Sequence, residues 1–180
     1  LGDVYKRQEL KSLISKVVDQ KDLTLEESMK AMNIIMSGRA TDAQISSFLT
    51  ALRIKGETIE EITGLAKVMR EKANTIEGCK DAIDIVGTGG DGKNTFNIST
   101  CACLIVAGAG YHVAKHGNYG ATSISGASNV MEQHGVKFTN DPSILTRSME
   151  ECGMVYMHAQ LFNPAMKSVG PVRKALQVRT

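Results

Sequence analysis

The run Asp84-Ile-Val-Gly-Thr-Gly-Gly-Asp-Gly-Lys-Asn-Thr-Phe-Asn-Ile-Ser-Thr100 constrains the fold of this chain more than any other stretch. The apolar stub Ile83 to Val86 predicts a buried strand. It runs into Gly87, Gly89, Gly90 and Gly92, with Asp91 among them. Asn97, Ser99 and Thr100 then stand just before an apolar stretch that predicts a helix. Glycines let a backbone approach a ligand closely. The first N–H groups of a helix have no partner within it, and the helix dipole favours negative charge there. Strand, glycine loop and hydroxyl-rich helix start together predict a seat for phosphate or pyrophosphate. A glycine turn after a strand often only turns the chain, so the loop needs support from elsewhere. It lacks the Gly-Lys-Ser/Thr ending of a P-loop.

The support is Val113-Ala-Lys-His-Gly-Asn-Tyr-Gly-Ala-Thr-Ser-Ile-Ser-Gly126. It follows a second short strand, expected around His112 to Ala114. It offers one cation, Lys115, then Gly117, Gly120 and Gly126, and the hydroxyls of Thr122, Ser123 and Ser125. Lysine acts as a point charge on phosphate, and hydroxyls and backbone N–H groups fill the remaining positions. Two such loops on neighbouring strands face one crevice at the carboxyl ends of an open α/β sheet. His116 beside such a loop is expected to position backbone or to pack, rather than to exchange protons.

Gly87-Thr-Gly-Gly-Asp91, Asn97-Ile-Ser-Thr100, Lys115-His-Gly-Asn118 and Pro164-Ala-Met166 with Gly170-Pro-Val-Arg173, in this order and spacing, resemble the anthranilate phosphoribosyltransferase family. The resemblance runs from about Glu9 to Thr180. It implies an N-terminal fragment, because chains of that family are nearly twice as long. It implies transfer of phosphoribosyl from phosphoribosyl pyrophosphate to the amine of anthranilate, in tryptophan biosynthesis, with Mg²⁺. Such chemistry asks for charge neutralisation on the leaving pyrophosphate and for placement of the amine. No side chain is assigned as a catalytic acid, base or nucleophile. The resemblance gives Gly87, Gly90, Asp91, Thr95, Asn97, Ser99, Thr100, Lys115, His116, Gly117, Asn118, Thr122 and Ser123 to phosphoribosyl pyrophosphate. It gives Gly87, Asn118 and Arg173 to anthranilate, and Ser99 to the metal. Carboxylates must complete a magnesium site, and the family's acidic pair lies beyond this chain. An arginine suits a carboxylate because its guanidinium pairs in two places; the plain alternative for Arg173 is a solvated helix arginine beside Lys174. Two residues depart from the family: Tyr119 stands where it usually has arginine, and Ala127 where it has serine. Either change is compatible with another aromatic amine or a nucleobase as acceptor.

Two other readings stay open. A pyrimidine nucleoside phosphorylase has the same architecture and would hold phosphate in the glycine loop. A non-catalytic relative would bind nucleic acid through a basic face. A net charge of +2 and 4% aromatic residues without tryptophan count against the second. No apolar run approaches a membrane span. Cys79, Cys101, Cys103 and Cys152 form no Cys-x-x-Cys pair. Cys101 and Cys103 are expected to be small buried residues of the helix after Thr100. Together these predict a cytoplasmic protein that binds neither nucleic acid nor membrane.

The fold expected is a small N-terminal helical domain over 9–75, then the first part of a parallel-sheet α/β domain over 76–180, nucleoside phosphorylase/phosphoribosyltransferase-like and truncated, inactive by itself. Leu1 to Gln8 begins without Met and does not match the family's start. It is read as a cloning or sequencing scar outside the fold. Leu10, Leu13, Ile14, Val17 and Val18 share one helical face. Three capping boxes follow: Thr24 with Glu27, Thr41 with Gln44, and Thr58 with Glu61. Ile45, Phe48, Leu49 and Leu52, and then Ile62, Leu65, Ala66 and Met69, form the apolar stripes of the next two helices. Gly38 and Gly56 end the second and third helices. The resemblance implies a homodimer formed through this helical domain. Further on, helices are expected near 127–134, from Asp141-Pro142, and from Asn163-Pro164 to about Leu176, the last packing with the helical domain. Gly153 to His158 predicts a third strand. Strands alternating with helices argue for a parallel sheet.

Overall fold

A computed structural model describes residues 2–87, 95–120 and 125–176. Among these, the chain forms two compact units. One runs to Ala73 and resumes at Ala165; the other runs from Asn74 to Pro164.

The first unit is helical: α1 (Gly2–Val18), α2 (Leu25–Met36), α3 (Asp42–Lys55) and α4 (Ile59–Lys72), with a 3₁₀ turn at Pro164–Ser168 and α9 (Gly170–Leu176) added from the end of the chain. All three capping boxes are closed in both directions, from hydroxyl to N3 backbone and from N3 side chain back to the cap. Gly56 caps α3 at φ +82°, and Gly38 follows the Ser37 cap of α2 at φ +70°, the left-handed region where glycine is least strained. Leu10, Val17, Leu23, Ile34, Ile45, Phe48 and Leu52 form the core, with Val169 and Val172 packed among them. α1 starts at Gly2, so its backbone is already helical within the segment read as a scar.

Two expectations fail here. The buried face of α4 is Glu61, Gly64 and Val68, whereas Ile62 is 55% exposed and Ala66 also faces solvent. The reason is a close helix crossing. A Cβ on Gly64 would lie 2.7 Å from the Leu25 carbonyl oxygen and 2.8 Å from Ser28 Cβ, so α2 and α4 meet on their smallest residues. The segment from Pro164 to Leu176 is not one helix. Pro171 has no N–H to close a turn on Lys167, and the Ser168 hydroxyl instead bonds the carbonyls of Ala165 and Ile35.

The second unit is α/β. β1 (Val113–Gly117) pairs in parallel with β2 (Met154–His158), with Lys115 opposite Tyr156 and Gly117 opposite His158. α5 (Ile98–Gly108) precedes β1, α6 (Ala127–Gln133) and α7 (Pro142–Cys152) join the two strands, and the short α8 (Ala159–Phe162) follows β2. Successive strand residues point to opposite faces. Val113, Met154 and Tyr156 pack with Cys103 and Met131 on one side. Ala114 and Val155 pack with Leu145, Met149 and Phe162 on the other. Helices thus cover both faces, as a parallel sheet requires. Asp141 caps α7 by accepting the Ser143 N–H, with Pro142 in the first turn, as its sequence predicts.

The strand expected at Ile83 to Val86 is a single bridge, Ile83 to Val113. Ile83 N–H donates to His112 O, and Ala114 N–H donates to Ile83 O. The ladder then stops because side chains take its next partners. Asp84 Oδ1 accepts the His116 N–H at 3.2 Å, and the Ile85 carbonyl accepts from Lys115 Nζ at 2.8 Å. The second strand runs to Gly117 rather than ending at Ala114, so Lys115, His116 and Gly117 belong to the sheet and not to a loop.

Candidate functional site

Gly90, Asp91, Thr122 and Ser123 lie outside the described residues. Of the others, Asn97, Ser99, Thr100 and Lys115 come together at the start of α5 and on β1. Asn97 is the hinge of the arrangement. Its Oδ1 accepts the Thr100 N–H at 2.9 Å and caps α5, which leaves Nδ2 free to donate to Ser125 O at 2.7 Å. One carboxamide therefore ties the helix start of the first element to the far end of the second. The Ser99 hydroxyl donates to the same Oδ1 at 3.1 Å and accepts from Lys115 Nζ at 3.3 Å.

Lys115 is 1% exposed. Its ammonium meets two neutral oxygens, Ile85 O and Ser99 Oγ, and among the described residues no carboxylate lies within ion-pair distance. A buried cation without a counter-charge is costly, and it is aimed at a helix start where the dipole is positive as well. Thr100 Oγ1, in the first turn of α5, is buried and among the described residues has no hydrogen-bond partner. All three features call for an anion with several acceptor oxygens. Cys103, one turn further along α5, is buried, and burial raises its thiol pKa despite the nearby Lys115 charge. Cys101, expected to be buried, faces solvent.

Gly87 and Thr95 are exposed at the two edges of the glycine loop. His116 is half-exposed, and its Nδ1 stands 3.6 Å from Asp84 Oδ2, so both the backbone and the ring of His116 meet that one carboxylate. Gly117 must be glycine. A Cβ there would lie 2.6 Å from the Tyr156 hydroxyl and 2.8 Å from Ala127 Cβ. Asn118 is exposed, with Oδ1 accepting the Tyr119 N–H at 2.9 Å. Arg173 is half-buried on α9 of the helical unit.

Beneath the end of β1 lies a group that sequence reasoning missed. Ser128 Oγ shares hydrogen bonds of 2.8 Å with both the Tyr156 hydroxyl and His158 Nδ1, all three buried. Phe138 stacks on His158 at 4.6 Å. Burial holds His158 below the usual histidine range, against the opposing charge of Glu132, and burial pushes the Tyr156 hydroxyl up. The only sequence signal was the alternation of Tyr156 and His158 on one face of a strand.

Among the described residues no three His, Cys, Asp or Glu side chains form a metal cluster. Ser99 contributes one neutral oxygen. That donor set does not make a metal cage, but it suits a magnesium ion whose remaining ligands are phosphate oxygens and water.

The model of a glycosyl transferase family's a/b domain matches residues 79–180, and that of its helical bundle domain matches residues 11–73. The chain belongs to this glycosyl transferase family. It is similar to a Phocaeicola vulgatus protein named anthranilate phosphoribosyltransferase, 64% identical over 95% of this chain and 52% of the relative. A Bacteroides fragilis protein of the same name is 52% identical over the same shares. Among solved structures, anthranilate phosphoribosyltransferase from Thermus thermophilus is similar at TM-score 0.82 and 38% identity, over 93% of this chain and 51% of that one. The Saccharomyces cerevisiae enzyme, solved in complex with PRPP and Mg, is similar at TM-score 0.83 and 30% identity, over 95% of this chain and 52% of that one. Another structure of the yeast enzyme is in complex with 4-fluoroanthranilate. The chain spans about half the length of the curated relatives it matches. Within the glycosyl transferase family, the α5 start and the β1 end described above belong to the a/b domain.

Proposed function

We propose that the protein carrying this chain transfers phosphoribosyl from phosphoribosyl pyrophosphate to anthranilate, giving N-(5-phosphoribosyl)anthranilate in tryptophan biosynthesis. The observation that carries the reading is Lys115, a buried ammonium without a counter-charge among the described residues, aimed at the capped start of α5. Pyrophosphate supplies the missing negative charge and the acceptor oxygens for Thr100 and the first-turn N–H groups. Its departure from ribose C1 is eased by fixed donors that need no reorganisation. Gly87, Gly90, Asp91, Thr95, Asn97, Ser99, Thr100, Lys115, His116, Gly117, Asn118, Thr122 and Ser123 make up the donor-sugar contacts in this reading. Gly87, Asn118 and Arg173 receive anthranilate, the arginine pairing with its carboxylate. Mg²⁺, when bound, would neutralise phosphate charge, and Ser99 would be one of its ligands.

The relatives described above carry the transferase name, which supports this reading over a nucleoside phosphorylase or a nucleic-acid-binding protein. A homodimer through the helical unit is part of the proposal. Ile54, Ile59 and Ile62, at 72, 85 and 55% exposure, give that unit an apolar surface suited to it. A cytoplasmic location accords with four free cysteines and with the lack, among the described residues, of a helix long and apolar enough to cross a membrane.

The test is loss of anthranilate fluorescence with phosphoribosyl pyrophosphate and Mg²⁺, using the full-length protein. Ser99→Ala should lower kcat/KM by about tenfold or more, and Arg173→Ala should raise KM for anthranilate. A folded, magnesium-loaded protein that turns over no anthranilate sinks the proposal.

A further inference from the structure

Asn118, Tyr119 and Gly120 are each gripped by α6 or its first residues. Asn118 O accepts the Ser128 N–H at 3.1 Å. Gly120 N–H donates to Asn129 Oδ1 at 3.0 Å. The Tyr119 hydroxyl donates to Glu132 Oε1 at 2.6 Å. Gly126, which opens α6, lies so close that a Cβ on it would collide with the backbone of Gly120. The Tyr119 ring is also held, edge-on to His158 at 5.2 Å and to Phe138 at 6.4 Å. Tyr119 is therefore turned back onto the fold, although 39% of it remains exposed. A ring anchored at both ends is poorly placed to select an acceptor. What it does fix is its own backbone N–H, and that N–H holds Asn118 Oδ1. With the oxygen taken, the Asn118 carboxamide presents Nδ2, a pure donor, to whatever lies beside it.

We propose that Tyr119 and Glu132 are positioning residues: their bond sets the Asn118 carboxamide with its N–H₂ group toward the anionic donor substrate. The inference rests on the phosphoribosyl-transfer reading for the identity of that substrate. It also accounts for the departure at Tyr119 without a change of acceptor, because the tyrosine acts through its neighbour and does not touch the ligand.

The experiment is steady-state kinetics on full-length wild type, Tyr119→Phe, Glu132→Ala and the double variant. Amide exchange at Gly120 and Ser128 is measured on the same proteins. Each single variant should raise KM for phosphoribosyl pyrophosphate about five- to tenfold, within the weight of one typical hydrogen bond, with kcat changed less than twofold. The double variant should lose no more than either single one, since one bond is removed in all three. Exchange at both amides should quicken by a similar factor. An unchanged KM, losses that multiply in the double variant, or unaltered exchange in an active enzyme overturns the positioning role and leaves the transferase reading standing. A wild type without turnover instead overturns the transferase reading, and the positioning role with it.

Discussion

Glu61 looks from the sequence like the third of three equivalent helix caps, and its removal should separate it from the other two. Its carboxylate is fully buried and accepts from Leu23 N–H at 2.8 Å, Thr58 N–H at 2.8 Å and Lys55 Nζ at 2.9 Å. The Lys55 side chain is itself 4% exposed and also meets Asp22 at 2.7 Å. Glu61→Ala leaves two backbone N–H groups and part of a buried ammonium unmet. Each unmet group costs about 1–3 kcal/mol, and a broken buried ion pair about 3–5 kcal/mol in total. We expect about 3–5 kcal/mol for Glu61→Ala, against about 1 kcal/mol for Glu27→Ala, whose capping box is solvent-exposed. The assay is urea unfolding of the helical unit at pH 7, followed by far-UV circular dichroism. The pH dependence should follow. Burial alone would raise the Glu61 pKa, but the bonds from Leu23, Lys55 and Thr58 outweigh it and hold the pKa below the ordinary 4.5. Stability from this group is therefore complete above about pH 4.5 and lost as pH falls through the lowered folded value. Equal costs for the two alanine variants would refute the idea that Glu61 is more than a cap.

Two further outcomes are expected. Gly64→Ala should destabilise by about 1–3 kcal/mol through the clash with α2, despite the better helix propensity of alanine; a raised thermal midpoint would show that α4 can move away. Lys115→Met keeps the buried stem without its charge, so unliganded stability should equal or exceed that of wild type, by up to about 4 kcal/mol. The rise in thermal midpoint on adding pyrophosphate should vanish in that variant, and a wild-type-sized rise would rule out Lys115 as the anion's partner.

The helix starts were legible because a capping box is a local device, closed within four residues, and Asp141-Pro142 likewise. The α4 face was not, because periodicity finds apolar residues whereas this crossing selects for small ones, Gly64 against Ser28. The Ile83 strand was overestimated for a related reason. Propensity cannot see that Asp84 and Lys115 side chains consume the ladder's next partners. At the candidate site the residue types and their order were readable, but the bond from Lys115 to Ser99 at the helix start was not. The Asn97 tie to Ser125, across 28 positions, was not. Nor was the turning of Tyr119 onto Glu132, which depends on where a helix 13 residues later presents its carboxylate.

The ammonium of Lys115, without a counter-charge among the described residues, also bears on how long such a protein survives. A unit whose interior carries an unanswered charge is least stable when no ligand is present. Each binding event lowers the population of open, protease-sensitive forms. A ligand at a hundred times its Kd adds about 2.7 kcal/mol, which reduces that population roughly a hundredfold. On the function proposed above, the lifetime of the α/β unit under proteolysis would be tied to the supply of its anionic substrate, and starvation for that anion would thin out the protein before any change in its synthesis.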